Sequence, residues 1–430
     1  MTYDFDAIIA GGGPAGSTTA SYLRLKGRRP LILEREKFPR FHLGESMLPF
    51  SNDVFRELGV FEEIDRRYIH KPAARFIHEE TGATFTYYFK SAIDGSREYS
   101  YQVPRADFDQ LLLDNSRRLG AEVREETQVK KVRFLDDGVE VDAVGPGGDA
   151  YTVRAPMFVD ATGRDAFVAN KEKLKTADDL ITTNVACFTH YQNCKRQAGR
   201  DEGNFTLIMF DGGWWWFIPF RGDVTSIGVV FQKDYTLARK GMSPQELFEG
   251  AIKEQREIKR ILDGATRVRP IDSAGNWSYR CKQYYGDRWV LVGDAAAFID
   301  PLFSTGVLLA LMSGKYAAEV IDGALAENDF RASRFADYEK RALGGADLFK
   351  NMVHEFYAEN LRRMLVAGEQ NTGMRAVITS MLAGDVYRPR VWHRMLRPGF
   401  SKMMDMDEVP GLEARGGRPF KRRVEEPESL

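Results

Sequence analysis

Asp6-Ala-Ile-Ile-Ala-Gly11-Gly-Gly13-Pro14-Ala15-Gly16-Ser-Thr-Thr-Ala20 sets a G-x-G-x-x-G turn between an apolar run of strand length and a helical stretch reaching about Gly27. Each glycine has a separate task. Gly11 permits the tight turn, Gly13 lets the backbone approach a pyrophosphate, and Gly16 lets the helix pack close to the strand. Pro14 and Ala15 complete the turn, whose free N–H groups at the helix start face phosphates. A second apolar run, Pro30-Leu-Ile-Leu33, ends on Glu34, eighteen residues after Gly16, where a carboxylate accepts hydrogen bonds from an adenosine ribose. Strand, helix and acid together predict a dinucleotide site; the alternative is a tight strand–helix turn that binds nothing.

A second acid narrows the dinucleotide. Gly293-Asp294 follows the apolar strand Trp289-Val-Leu-Val292, and an acid there can hold the ribityl or ribose hydroxyls of a flavin dinucleotide. The bland reading is a helix cap. Arg105 follows a valine–proline step, and the glycines at 145–148 do not lie between a strand and a helix. One dinucleotide turn, a distal acid and Arg105 favour FAD over a nicotinamide cofactor. In the polar loop after Glu34, Arg40 can meet a phosphate and Ser46 can lie near a ring system, unless the loop is simply solvated. Further on, Pro301-Leu-Phe-Ser304-Thr305-Gly306 opens a helix predicted from Val307 to about Asp322. Its unpaired N–H groups and positive dipole end suit the pyrimidine side of a flavin and form a small-anion site. The Thr305 and Gly306 amides are the candidates for halide, with flavin contact alone as the alternative.

Three motifs carry a family resemblance. Trp214-x-Trp216-x-Ile218-Pro219, Phe298-x-x-Pro301-x-x-Ser304-x-Gly306 and Lys71-Pro-Ala-Ala-Arg-Phe76 resemble signatures of the flavin-dependent halogenases, within the group-A flavin monooxygenase superfamily. The match covers about residues 4–310, with Ala73 where many relatives have glycine. The length resembles the shorter branch, acting on phenols, pyrroles or aromatics tethered to a carrier protein. The resemblance implies a separate flavin reductase supplying FADH2, and oxygen giving a flavin hydroperoxide. Chloride or bromide near Thr305 and Gly306 attacks it to give hypohalous acid, and Lys71 passes an electrophilic halogen to an electron-rich ring. It also implies that Trp214, Trp216, Ile218 and Pro219 wall the substrate off from the flavin. By residue type alone Lys71 reads as a surface lysine and the tryptophans as core. A lysine in the implied role is partly desolvated and its pKa depressed. His70 stands beside Lys71 and can tune it, although a solvated histidine is the default.

The elements needed to position these residues define an α/β fold: a Rossmann-like FAD-binding domain of the GR2 type, an inserted antiparallel substrate-domain sheet and a C-terminal helical region. The FAD-binding parts are expected at 1–70, 103–180 and 281–325, the sheet at 71–102 and 181–280, helices at 326–405 and a poorly ordered tail at 406–430. The aromatic stripe of residues 76–101 reads as core more than as substrate contact, and the helices after residue 320 are expected to cover the substrate cavity. The chain has 430 residues, enough for two or three packed subregions. Sixty-one basic and 62 acidic residues leave a formal net charge of −1, which points to neither nucleic acid nor an anionic membrane. Three cysteines, Cys187, Cys194 and Cys281, lack metal spacing and are too few for a disulfide framework, consistent with a reducing cytoplasm and no metal. The glycine turn begins too early for a signal peptide, and no apolar run approaches a membrane span. Rival readings are a flavin hydroxylase, a reductase of the geranylgeranyl reductase type, and a flavin-binding protein without turnover of its own.

Overall fold

Ala7–Ala10 lies inside a six-stranded sheet, between the strands Met157–Asp160 and Pro30–Leu33. This computed structural model describes residues 3–177, 184–275, 278–367 and 372–388. The sheet order is Tyr285–Gly286, Trp289–Leu291, Met157–Asp160, Ala7–Ala10, Pro30–Leu33 and Glu122–Arg124. All neighbours are parallel except the edge pair of Tyr285–Gly286 with Trp289–Leu291. Strands covered on both faces read as continuous apolar runs, and Ala7–Ala10 and Pro30–Leu33 are buried at every residue. Because the strands are parallel, the turns after Ala10, Asp160 and Leu291 leave from one edge, where ligands of such sheets bind.

The helix Pro14–Leu25 starts on a proline whose fixed φ suits a first helical position. It packs against the long helix Gly306–Glu327, which runs five residues past its predicted end at Asp322. Their approach is close enough that a Cβ at Gly314 would lie 2.8 Å from the Ala15 carbonyl oxygen. That contact brings the glycine turn and the Pro301–Gly306 segment to the same place.

The inserted sheet has eight strands, ordered Thr266–Arg267, Val185–Gln192, Thr225–Phe231, Gly213–Pro219, Phe205–Phe210, Ala73–His78 and Thr84–Tyr88, with Asp272–Gly275 paired to Val185–Gln192. It is antiparallel except at one seam, where Ala73–His78 runs parallel to Phe205–Phe210. The seam joins two segments distant in sequence, and no hairpin dictates their direction. The aromatic stripe is largely core, as expected: Phe76, Tyr87, Phe89 and Tyr101 are buried. A two-stranded ladder, Ile69–Lys71 with Ser100–Gln102, sits beside the sheet.

Beyond the long helix come Ala336–Tyr357, Asn360–Val366 and Thr372–Leu382. Residues 389–430, including the charged glycine- and proline-rich tail, lie outside the described residues. The three cysteines are buried and unbridged. No helix among the described residues is long and apolar enough to cross a membrane.

Candidate active site

The parallel strand ends, the loop 35–46 and the inner face of the second sheet enclose a cavity of about 430 Å³. Gly11, Gly13, Pro14, Ala15, Glu34 and Arg40 line one part, and Trp214, Trp216, Ile218, Thr305 and Gly306 line another. Gly11 takes φ +103°, where a side chain is strained, and a Cβ at Gly16 would fall 2.0 Å from the Gly11 carbonyl oxygen. Gly16 does not line the cavity; it lets the helix close on the strand. At Gly13 the nearest atom to an added Cβ is an Arg40 guanidinium nitrogen at 3.4 Å, so a basic group stands over the turn. The Glu34 carboxylate accepts the Gly12 N–H at 2.6 Å and the Glu36 N–H at 2.8 Å. It therefore braces the turn while presenting an acidic edge to the cavity.

Arg105 opens the helix Arg105–Arg118, is buried, and bonds both oxygens of Asp109 at 2.7 and 2.9 Å. Arg40 reaches the same carboxylate at 3.0 Å. Burial alone would raise the Asp109 pKa, but Arg105 and Arg40 outweigh it and hold the carboxyl below its usual range. Arg105 also donates to the carbonyls of Leu43 and Gly44. It thus fixes the loop that carries Ser46 as well as lining the cavity itself.

Asp294 faces the cavity after Gly293, which takes φ +58° and sits against Ala15. Burial pushes its pKa up to about 6 against the opposing pull of Arg105 and Arg164. Its carboxylate accepts no hydrogen bond from the described residues. Ser46 Oγ and Thr305 Oγ1 are buried without a partner, while Asp294 itself is half-buried. Buried polar groups are normally satisfied, so an acid and two hydroxyls around one cavity mark where polar ligand atoms belong. A glycine cradle, a basic group over it and a free distal acid fit a flavin dinucleotide.

The tryptophan strand is buried throughout and obeys the period of two. Trp214, Trp216 and Ile218 face the cavity. Trp215 faces the other way and donates to Gln255 Oε1 at 2.6 Å. Pro219, expected in the wall, falls on the Trp215 face by the same alternation and is not among the cavity-lining residues. Trp216 donates to Ser226 Oγ at 3.2 Å and lies across Gly228, its cross-strand partner. Opposite the wall, Thr305 is the cap of the long helix and Gly306 its first residue. Nothing lies within 4 Å of an added Gly306 Cβ, and both residues line the cavity.

Lys71 ends the strand Ile69–Lys71 and is 1% exposed. Its Nζ donates to the Met47 carbonyl at 3.0 Å and lies 5.6 Å from the Phe89 ring centre and 5.3 Å from that of Phe205. Burial pushes its pKa down to about 7. It does not line the cavity; Phe205, which does, stands between. His70 does not tune it. Alternation along the strand turns His70 outward, where it stacks on Tyr99 and pairs with Asp65 at 2.8 Å.

Several residues that line or support the cavity have no signal in the sequence. Phe205 sits in an unmarked apolar run. Glu45, between two residues of the polar loop, lies 3.0 Å from His190 of the second sheet. Asp300 fills a variable place within the Phe298–Gly306 motif, yet it is buried, with its pKa raised by burial to about 6. Among the described residues the lining of this cavity ends at Ala310, and the helix Ala336–Tyr357 braces the wall through the Tyr357 hydroxyl, which meets Trp214.

Residues 4–338 match the family model described as FAD binding domain. The chain is 32% identical over 411 residues to a 1H-pyrrole-2-carbonyl-[peptidyl-carrier protein] chlorinase of Pseudomonas fluorescens, covering 90% of each chain. It is 30% identical over 393 residues to a 1H-pyrrole-2-carbonyl-[peptidyl-carrier protein] brominase of Pseudoalteromonas luteoviolacea, covering 90% of this chain and 94% of the relative. The solved structure of a flavin-dependent brominase superposes with a TM-score of 0.83 at 27% identity, over 93% of this chain and 98% of the other.

Proposed function

Since the chain belongs to the flavin-dependent halogenases, of the pyrrolyl carrier-protein type, we propose that it places chloride or bromide on an electron-rich aromatic ring, a pyrrole-2-carbonyl group held on a carrier protein. One observation carries this reading. A single cavity joins the glycine cradle and Asp294 to the indole wall and the helix start at Thr305 and Gly306, with a buried amine behind Phe205.

Gly11, Gly13 and the N–H groups after Pro14 hold the pyrophosphate, with Arg40 above them. Glu34 orients the adenosine ribose, Asp294 accepts from flavin hydroxyls, and Ser46 faces the ring system. FADH2, delivered by a separate reductase, supplies with oxygen the oxidising equivalents that turn halide into hypohalous acid. The Thr305 and Gly306 amides hold the halide by helix-end polarity. Trp214, Trp216 and Ile218 keep the organic substrate out of the flavin compartment, so a small oxidant passes and an aromatic ring does not. Lys71 then meets the oxidant. With a pKa depressed to about 7, a large share of the amine is neutral near neutral pH. The neutral amine exchanges one N–H for an N–halogen bond, releasing water. The ring carbon takes the halogen, the N–halogen electron pair returns to nitrogen, and the ring proton is lost.

Incubation with chemically reduced FAD, oxygen and sodium chloride or bromide tests this, using pyrrole-2-carbonyl carrier protein beside free pyrroles and phenols. The expected product shows the chlorine or bromine isotope pattern in the mass of the tethered substrate. Lys71→Ala is expected to lose halogenation by about 10²-fold or more while still binding FAD. A product that gains oxygen instead, or halogenation at the wild-type rate in the Lys71 variant, overturns the reading.

A further inference from the structure

The indole N–H of Trp214 is buried in the cavity wall and must find an acceptor. It finds one far away in sequence, donating to the Tyr357 hydroxyl at 3.0 Å. That hydroxyl donates in turn to Asp300 Oδ2 at 2.9 Å. The direction of the chain is forced. An indole nitrogen can only donate, so the Tyr357 oxygen accepts, and its one proton goes on to a carboxylate that must end the chain. Asn184 joins the same buried cluster. Asp300 Oδ1 meanwhile accepts the Leu302 N–H at 3.1 Å, capping the turn Pro301–Phe303, and the Asp300 N–H donates to Ser278 Oγ at 3.0 Å. That turn leads through Ser304, at φ +60°, directly into Thr305 and Gly306. Tyr357 is the last residue of the helix Ala336–Tyr357, and its neighbour Phe356 meets Phe303 edge-on at 6.2 Å. The end of one C-terminal helix therefore seats on the turn by two contacts and holds the wall by a third.

We propose that Asp300 and Tyr357 are positioning residues that lock the Trp214 ring and the start of the halide-binding helix to each other, so that the wall and the anion site keep one fixed spacing. The inference rests on the halogenase reading for its consequence, but its geometry does not. Trp216 is held by its own strand neighbours, Ser226 and Gly228. Trp214 is the wall residue whose orientation is set from outside the sheet, and the group that sets it also caps the turn. Loss of the Tyr357 hydroxyl frees the indole N–H and leaves Asp300 one donor short. The ring then tilts, and oxidant leaves the flavin compartment by routes other than the one to Lys71.

Incorporation of 5-fluorotryptophan gives a test that needs no turnover. The Trp214 fluorine resonance of the cofactor-free protein is identified by its absence in Trp214→Phe. In Tyr357→Phe that resonance is expected to move or broaden while the Trp289 resonance, at the far side of the parallel sheet, stays in place. In turnover with FADH2, oxygen and bromide, Tyr357→Phe is expected to yield about five- to tenfold less brominated product per oxygen consumed, the worth of one buried hydrogen bond. The missing oxidant should appear on an added β-diketone trap. The double variant Trp214→Phe/Tyr357→Phe should be no worse than Trp214→Phe alone, because the hydroxyl acts through the indole. Asp300→Asn keeps an oxygen for Tyr357 and should fall between wild type and Tyr357→Phe; it also decides the question if Tyr357→Phe does not fold. An unmoved Trp214 resonance in both single variants, or additive losses in the double variant, overturns the proposal. A wild type that halogenates nothing, with the resonance shifted as expected, instead overturns the functional reading and leaves the positioning role standing.

Discussion

A primary amine sealed among Phe89, Phe205 and the Met47 carbonyl is costly to keep charged. The Lys71 pKa is lowered to about 7 by burial, against an unfolded value of about 10.4. Between those values the unfolded chain binds the extra proton, so wild-type stability rises with pH across that window, by about 1.4 kcal/mol per unit at most. Lys71→Met removes the titration and keeps the stem. Its Tm is expected to exceed that of wild type most at pH 7 and below, with the gap closing toward pH 10, as scanning calorimetry at several pH values would read. A gap independent of pH would mean that Lys71 is not desolvated as the structure has it. Residue type marks such a lysine as an ordinary surface group. What identifies it is the motif around it, and what explains it is burial that only the packed chain supplies.

At the scale of elements, the wall depends on one missing side chain. A Cβ at Gly228 would lie 2.1 Å from the Trp216 ring. Gly228→Ala should therefore push the Trp216 indole out of the wall, at about 1–3 kcal/mol in stability from overpacking. FAD affinity should hold, because the glycine turn is untouched, while halogenation falls and oxidant reaches the β-diketone trap. Retained halogenation with a well-packed Trp216 would remove that ring from the partition. The strands that carry the site were legible as apolar runs, and the period of two sorts Trp214, Trp216 and Ile218 from Trp215 and Phe217. The same period excludes Pro219, which the motif pattern groups with them. The parallel seam between Ala73–His78 and Phe205–Phe210 had no local signal. It matters because it sets the lysine segment beside Phe205.

At the scale of the whole molecule, the cofactor site is built from segments distant in sequence that meet only on folding. FAD is therefore expected to raise Tm by mass action, worth about 2.7 kcal/mol at a hundredfold excess over Kd. The gain should depend on pH through Asp294. Burial raises its pKa to about 6 in the free protein, and flavin hydroxyls favour the ionised form, so FAD binding expels a proton from the acid form. Affinity should thus fall as pH drops below about 6, by at most about tenfold per unit. Thermal shifts at pH 8 and pH 5 would show it, and Asp294→Asn should flatten the difference; an equal shift at both pH values in wild type would remove Asp294 from the flavin site. The sequence alone determined the cofactor class, the strand–turn–helix that cradles it and the residues of three motifs, because glycine geometry, apolar period and fixed spacing are local properties of a chain. Tertiary structure alone decided how those motifs meet. Lys71 lies behind Phe205 and not in the cavity wall, the helix Ala336–Tyr357 braces that wall, and Trp214 answers to Tyr357 and Asp300. Burial, pKa and hydrogen-bond partners arise between distant segments, as across the 143 residues from Trp214 to Tyr357, and no local pattern records them.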